Sequence, residues 1–364
     1  MSRPIRALIH PEALRHNFSV VRRHAGETGL WAVVKAHGYG HGLLRAAHAL
    51  SGLADGYALL ELAEAEVLRR EGLEQPILLL EGFFSEDELP EIARLGLTPV
   101  IHNPRQLQWL EEARLPRAIP IYLKINTGMN RLGLAPAEVP RVLARLARLS
   151  QVSGITLMSH FAEADGERGI AWQLECFRPV HAESNLPKSL ANSAALLRYP
   201  EAVGGKGDWA RPGIVLYGSS PFPEIQTAAE LDLRPAMTLT SEIIAVQDLQ
   251  PGERVGYGGL FQAENPMRIG IVACGYADGY PRHAPTGTPI AVAGRQSRTL
   301  GRVSMDMLVS DLTDIPEADI GAPVILWGGE GEAHVPVDEV ASAAGTVAYE
   351  LFCALAPRVP VLTA

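Results

Sequence analysis

Eight short apolar runs recur between residues 11 and 217, at 30–35, 56–60, 76–80, 98–101, 119–125, 154–159, 188–192 and 212–217. Amphipathic stretches such as 61–70 and 139–149 separate them, with apolar residues at helical spacing. Eight strands joined by crossover helices predict an α/β fold, a closed (β/α)8 barrel of the TIM type. An open doubly wound sheet is the runner-up, but no Gly-x-Gly-x-x-Gly follows the first run.

After Tyr217 the pattern changes. Pro221, Pro223 and Pro235 punctuate a connector, and helical periodicity largely disappears. The runs 237–246, 267–273, 288–293, 298–303, 307–312 and 324–327 read as strands between glycine- and proline-containing turns. Two short helices are expected at 337–344 and 349–356. The expected organisation is therefore a barrel domain over 1–230 and a mainly β domain over 231–364, with residues 1–10 pairing with the β domain.

Composition excludes several classes of function. No apolar run of the 364 residues is long enough to cross a bilayer, and a formal charge of −9 disfavours nonspecific nucleic-acid binding. Three widely spaced cysteines, Cys176, Cys274 and Cys353, argue against a disulfide framework or a cysteine-rich zinc site. No metal is expected. The opening residues lack a sustained apolar region, so no secretory signal is expected and cytoplasm is the expected location.

Lys35 ends the first apolar run, where an ammonium is costly unless it is paired or chemically used. Such a lysine tends to lose its proton and becomes able to form a Schiff base with an aldehyde cofactor such as pyridoxal phosphate. Gly38, Gly40 and Gly42 let the following backbone bend close to a bound group, with Tyr39 on the bend. His37 and His41 have an H-x3-H spacing, but the intervening glycines disfavour a helix carrying both rings, and both read as loop histidines.

A barrel puts its chemistry at the carboxyl ends of its strands, and each of these ends is polar. Lys124 leads into Asn126-Thr-Gly-Met-Asn-Arg131, Ser159-His160 ends the sixth run, Asn192-Ser193 the seventh, and Arg211-Pro-Gly-Ile214 opens the eighth. Ser193 and the Gly213/Ile214 backbone come from the units that usually bind phosphate. Taken singly, His160 reads as a core histidine, Arg211 as an ion-pair partner and Asn192-Ser193 as a cap. Together on one rim they imply a phosphorylated ligand. A buried Lys124 is expected to be paired, neutralised or modified. In the β domain, Tyr257 sits between glycines, a setting as common for a turn anchor as for a catalyst, and turn capping is the favoured reading of Asp278.

Seven motifs in this order resemble bacterial alanine racemases, pyridoxal phosphate enzymes of fold type III. They are Ala32-Val-Val-Lys-Ala-His-Gly-Tyr-Gly-His41, Asn126-Thr-Gly-Met-Asn-Arg-Leu-Gly133, Ser159-His-Phe-Ala162, Ala191-Asn-Ser-Ala-Ala195, Arg211-Pro-Gly-Ile214, Val255-Gly-Tyr-Gly258 and Gly301-Arg-Val-Ser-Met-Asp306. The resemblance is nearly full length.

It implies that Lys35 holds pyridoxal 5'-phosphate and is the base on one face of the substrate α-carbon, with Tyr257 the base on the other. Tyr39, Ser193, Gly213, Ile214 and Tyr349 match positions that hold the cofactor phosphate. Arg211 matches the arginine facing the pyridine nitrogen, and His160 the residue against the ring that links Arg211 towards Tyr257. Arg131, Met305 and Asp306 match the substrate-carboxylate side. Lys124 matches a lysine often carbamylated in relatives. The implied assembly is a homodimer in which the partner supplies Tyr257, Met305 and Asp306, so a monomer is expected to be inactive. The implied reaction interconverts L-alanine and D-alanine, supplying peptidoglycan synthesis or serving alanine breakdown. A racemase of broader small-amino-acid range, a type III decarboxylase and a noncatalytic pyridoxal phosphate carrier are the rival readings. His10 stands where relatives commonly carry an acidic residue.

Overall fold

The computed structural model describes residues 3–364, which divide into two compact units. One comprises Arg15–Gly38 and Ala46–Leu216; the other holds the chain up to Leu14, Tyr39–Arg45 and Tyr217–Ala364. The first strand, β1 (Arg6–Ile9), belongs to the second of these.

Among the described residues of the first unit, eight parallel strands close into a barrel: β2 (Gly29–Val33), β3 (Gly56–Leu59), β4 (Ile77–Leu79), β5 (Leu97–Ile101), β6 (Ile119–Lys124), β7 (Val152–Met158), β8 (Lys188–Ser189) and β9 (Trp209–Ala210). Strands β3, β4 and β5 are buried at every residue, which is why they read as continuous apolar runs rather than alternating ones. Aromatic rings fill the interior. Trp31 stacks on Trp209 at 4.3 Å and meets Tyr122 edge-on, while its indole N–H donates to the Tyr122 hydroxyl at 2.9 Å. Gly56 leaves the room this needs, since a Cβ there would lie 2.3 Å from the Trp31 ring. The barrel is thus the expected fold, with its last strand displaced. Ile214–Tyr217 forms a 3₁₀ turn, and the eighth strand lies earlier, at Trp209–Ala210, where Trp209 packs on Trp31.

In the second unit the order of the main sheet is governed by β10 (Met237–Leu249), thirteen residues rich in Thr and Ile. Its first half pairs antiparallel with β1 (Leu8 opposite Thr238), and a bulge between Ile243 and Ala245 precedes its pairing further along with another strand. The short ribbon β11 (Arg254–Val255) and β12 (Phe261–Gln262) comes next, then β13 (Met267–Val272), the strand that takes the later half of β10. Strands β14 (Pro289–Val292), β15 (Arg295–Arg298), β16 (Leu308–Asp311), β17 (Pro323–Trp327) and β18 (Val361–Thr363) complete the set. The sheet runs β15-β14-β17-β10-β1-β18, with β13 bridging β10 and β16. The strand expected at 298–303 lies at Arg295–Arg298 instead, because Ala293-Gly294 makes a tight left-handed turn that returns the chain along β14. Helices Val337–Ala343 and Ala348–Cys353 stand close to the expected positions. The histidine at the unusual position, His10, shares a 2.9 Å hydrogen bond with the Thr238 hydroxyl.

Candidate active site

Strand β2 stops at Val33, two residues before Lys35, and the chain then turns in an uncommon way. Ala36, His37, Gly38 and Tyr39 take φ values of 52°, 56°, 61° and 50°, one turn of left-handed helix. A left-handed L-residue costs about 1–2 kcal/mol, so Ala36, His37 and Tyr39, three of these four residues, store strain directly beside Lys35. The bend was expected from the glycines; its hand was not. Lys35 is partly buried, His37 is exposed, and His41 is a buried ring with its Nδ1 2.8 Å from the Tyr39 carbonyl.

Further round the rim of the same unit, basic groups gather. Arg211 is buried and donates to the Ser189 hydroxyl at 2.6 Å, to the carbonyls of Ser159 at 2.7 Å and Leu190 at 3.2 Å, and lies 3.3 Å from His160 Nδ1. Burial lowers its pKa to about 10, so it stays a cation at neutral pH, held by uncharged acceptors. Lys124 is buried at the end of β6. Burial first, then Arg211, Arg131 and Lys35, push its ammonium down to about 8, with Glu81 acting in the opposite direction. His160 is held well below its ordinary pKa by burial and by the same four cations. Its ring is therefore neutral at pH 7. Lys35, Lys124, Arg131, His160 and Arg211 thus share one electrostatic environment.

Phosphate-type donors stand on neighbouring elements. The Ser193 hydroxyl begins the helix Ser193–Arg198, capped by the Asn192 side chain, and it accepts a 2.9 Å hydrogen bond from the Gly213 N–H. Ile214 follows at the start of its 3₁₀ turn, fully buried.

The second unit carries the remaining candidates. Tyr39 stacks on Tyr217 at 4.7 Å and lies 5.8 Å from Tyr349, and burial, followed by Tyr349 and Cys353, drives its phenol pKa upward. Tyr257 sits in a turn between Gly256 and Gly258, 73% exposed. Met305 is also exposed; its carbonyl accepts from the Ala277 N–H at 2.9 Å. The Asp306 carboxylate accepts from Arg358 at 2.8 Å, and its carbonyl from Arg3 at 3.0 Å. Asp278 does cap its turn, through the Gly275 N–H, but it is also clamped between Arg3 and Arg358. Sequence reading missed that clamp because its two arginines stand at opposite ends of the chain.

The family model described as "Alanine racemase, N-terminal domain" matches residues 9–221, and "Alanine racemase, C-terminal domain" matches residues 236–363. The chain belongs to the alanine racemase family. It is 56% identical to an alanine racemase of Nitrosomonas eutropha, covering all of this chain and 99% of the relative. It is 53% identical to a catabolic alanine racemase of Klebsiella aerogenes over the full length of both. Among solved structures, the biosynthetic alanine racemase of Pseudomonas aeruginosa superposes with a TM-score of 0.94 at 45% identity, covering 100% of this chain and 99% of that one. Membership in the alanine racemase family makes the enzyme an isomerase, and the barrel followed by a mainly β region is the fold that its strands build.

Two polar residues outside the motifs complete the barrel rim. The motif hydroxyls of Thr127 and Ser159 lie 2.7 Å apart, and Ser189 receives Arg211. Gln173, fully buried in the helix Ala171–Ser184, reaches the same loops. Neither hydropathy nor spacing marks Ser189 or Gln173; only the tertiary fold brings them to these motifs.

Proposed function

We propose that this enzyme interconverts L-alanine and D-alanine with pyridoxal 5'-phosphate, using Lys35 and Tyr257 as bases on opposite faces of the substrate α-carbon. The observation that carries this reading is the cationic rim around buried Lys124 and Arg211. Lys124 and Arg211 are buried, Lys35 is partly buried and Arg131 is exposed, and all four act on His160; gathering this much like charge around two buried cations is costly unless a guest returns negative charge. A cofactor with a phosphate and a phenolic oxygen, together with a substrate carboxylate, offers the matching anionic acceptors. The residues present therefore fit pyridoxal phosphate.

In this reading Lys35 Nζ would hold the cofactor until the substrate amine takes its place and frees the lysine as a base, and Ser193 Oγ with the Gly213 and Ile214 backbone would hold its phosphate, joined by the hydroxyls of Tyr39 and Tyr349. When bound, pyridoxal phosphate supplies the conjugated ring that delocalises the electron pair left on the α-carbon. Arg211 remains a cation and disfavours a proton on the ring nitrogen it would face. That restrains charge spreading and favours prompt return of a proton to carbon. His160, neutral, would lie against the ring and link Arg211, 3.3 Å from its Nδ1, towards the tyrosine. Arg131 orients the substrate carboxylate, helped by the Met305 N–H and Asp306, and a carbamylated Lys124 would give Arg131 an anionic partner. Lys35 Nζ takes the α-proton on one face while Tyr257 Oη delivers one on the other, and the roles exchange in the reverse direction. D-alanine formed in this way would supply peptidoglycan, or the same interconversion would serve alanine breakdown.

Tyr257 stands 73% exposed, and Leu260, Met305 and Met307 expose large apolar surface from the same unit. Such a surface favours burial against a second copy of the chain. The proposed assembly is a homodimer whose sites each take Lys35 from one protomer and Tyr257 from its partner. Mixed dimers of Lys35→Ala and Tyr257→Phe test this. With shared sites, one of the two sites in each mixed dimer is intact, so mixing two inactive variants restores activity. Sites built within one chain predict no recovery at all.

A further inference from the structure

We propose that Gln173 is a positioning residue, clasping the loops that carry Arg131 and His160 so that both keep a fixed place relative to Arg211. The inference rests on the racemase reading of this rim. Gln173 is 0% exposed, and its amide spends three hydrogen bonds on these two loops. Its Oε1 accepts from the Ala162 N–H at 2.7 Å, and its Nε2 donates to the His160 carbonyl at 3.0 Å and to the Thr127 hydroxyl at 3.0 Å. Thr127 passes the link on to the Ser159 hydroxyl, which donates to the Ile125 carbonyl at 3.0 Å. The Ser159 carbonyl in turn receives Arg211 at 2.7 Å. One side chain therefore connects the loop after β6, the loop after β7 and the buried guanidinium.

The preceding residue presses on the same loop from the side. A Cβ on Gly128 would fall 2.1 Å from the Trp172 ring, and the Arg168 guanidinium covers that ring at 4.0 Å from its centroid. The Asn126 side chain closes the loop from within, accepting from the Gly128 N–H at 3.1 Å and the Asn130 N–H at 3.0 Å. Arg131 follows immediately. A glutamine that only satisfied stray backbone groups would not need to join two loops that both carry site residues. Here its donors and acceptor fix their separation.

The test uses Gln173→Met, which keeps length and loses all three hydrogen bonds, and Thr127→Val, which removes the Gln173–Thr127 and Thr127–Ser159 bonds but leaves Gln173 its bonds to Ala162 and His160. Each is assayed as holoenzyme in both directions, and the cofactor-free protein is followed by NMR of its imidazole nitrogens, with His160 assigned through His160→Asn. Loosening the clasp lets more water reach the partly buried His160, whose ring is held neutral by burial and by the charges of Arg211, Lys124, Arg131 and Lys35. We expect kcat/KM to fall about 10- to 100-fold per folded molecule in Gln173→Met, with a raised KM, because small displacements of reacting groups are amplified in rate. The His160 signal should begin to titrate nearer its ordinary range, and Thr127→Val should show a smaller change of the same kind. Turnover within about two-fold of wild type in either variant that folds, with the His160 signal unmoved, overturns the proposal. A wild-type protein that does not racemise alanine would defeat the racemase reading, while the His160 signal would still decide the role of Gln173.

Discussion

Lys124→Met removes one buried charge from the rim and keeps most of the side chain's length. With the ammonium's pKa at about 8 in the folded chain, against about 10.4 unfolded, protonated Lys124 costs the fold roughly 3 kcal/mol at neutral pH. The sign follows from proton counts. Below pH 8 both states carry the proton and the full cost is present. Between about 8 and 10.4 the unfolded chain binds more protons, so wild-type stability rises with pH and the cost disappears. The methionine variant lacks this dependence. Thermal unfolding of the cofactor-free proteins in carbon-dioxide-free buffer reads the difference: at pH 7 the variant should melt several degrees higher, at about 2–4 °C per kcal/mol, and the gap should close towards pH 10. Bicarbonate adds an independent arm. At pH 7.5 a lysine with a pKa near 8 is about one-quarter free amine, against about 0.1% for an unperturbed one. Carbon dioxide adds to that amine with loss of a proton and gives an anion among three cations, so bicarbonate should raise the wild-type melting temperature and leave the variant unchanged. A variant that melts lower than wild type at pH 7, with a gap that does not move with pH, would refute the electrostatic reasoning.

Tyr257→Phe should retain the cofactor, seen by absorbance, and lose at least about 100-fold in turnover, since a positioned acid or base contributes on the order of 10²–10⁴. Near-wild-type rates in both directions would show that another group serves that face. His160 gives a stability effect on the acid side. Its folded pKa lies well below its unfolded value near 6.5, so the unfolded chain gains the proton first and stability is lost as pH falls below about 6.5. Melting curves of His160→Gln should be flatter between pH 5 and about 6.5 than those of wild type. Gly128→Ala places a methyl 2.1 Å from the Trp172 ring at a φ of +127°. It should raise the KM for alanine through Arg131, and a KM equal to wild type would place the loop's flexibility above its packing.

How much of this was legible depends on the range over which each feature is encoded. The barrel was legible because strand burial and helix amphipathicity are local patterns, and β3, β4 and β5 are apolar throughout. The last two barrel strands are only two residues long, too short to carry a pattern: the seventh occupies just the start of the run at 188–192, which continues into a helix cap, and the eighth was misplaced because the run at 212–217 forms a 3₁₀ turn. The left-handed turn after Lys35 could not be foreseen from Ala36, His37 and Tyr39, which have no intrinsic preference for positive φ. The motif residues on the rim were legible through chemistry: a lysine closing an apolar run and an arginine beside Pro-Gly are unusual wherever they occur. Gln173 and the Arg3–Asp278–Arg358 clamp were not, since a buried glutamine on a helix and arginines more than 350 residues apart acquire meaning only when folding brings their partners within 3.0 Å.

The most direct measurement of the central claim is incubation of the purified enzyme with pyridoxal phosphate and L-alanine in deuterated water, following optical rotation together with deuterium at the α-carbon. The account predicts that rotation decays to zero while α-deuterium accumulates, because Lys35 and Tyr257 return solvent-exchanged protons on both faces. Persistent L-alanine without α-deuterium, in protein that carries the cofactor, would contradict it.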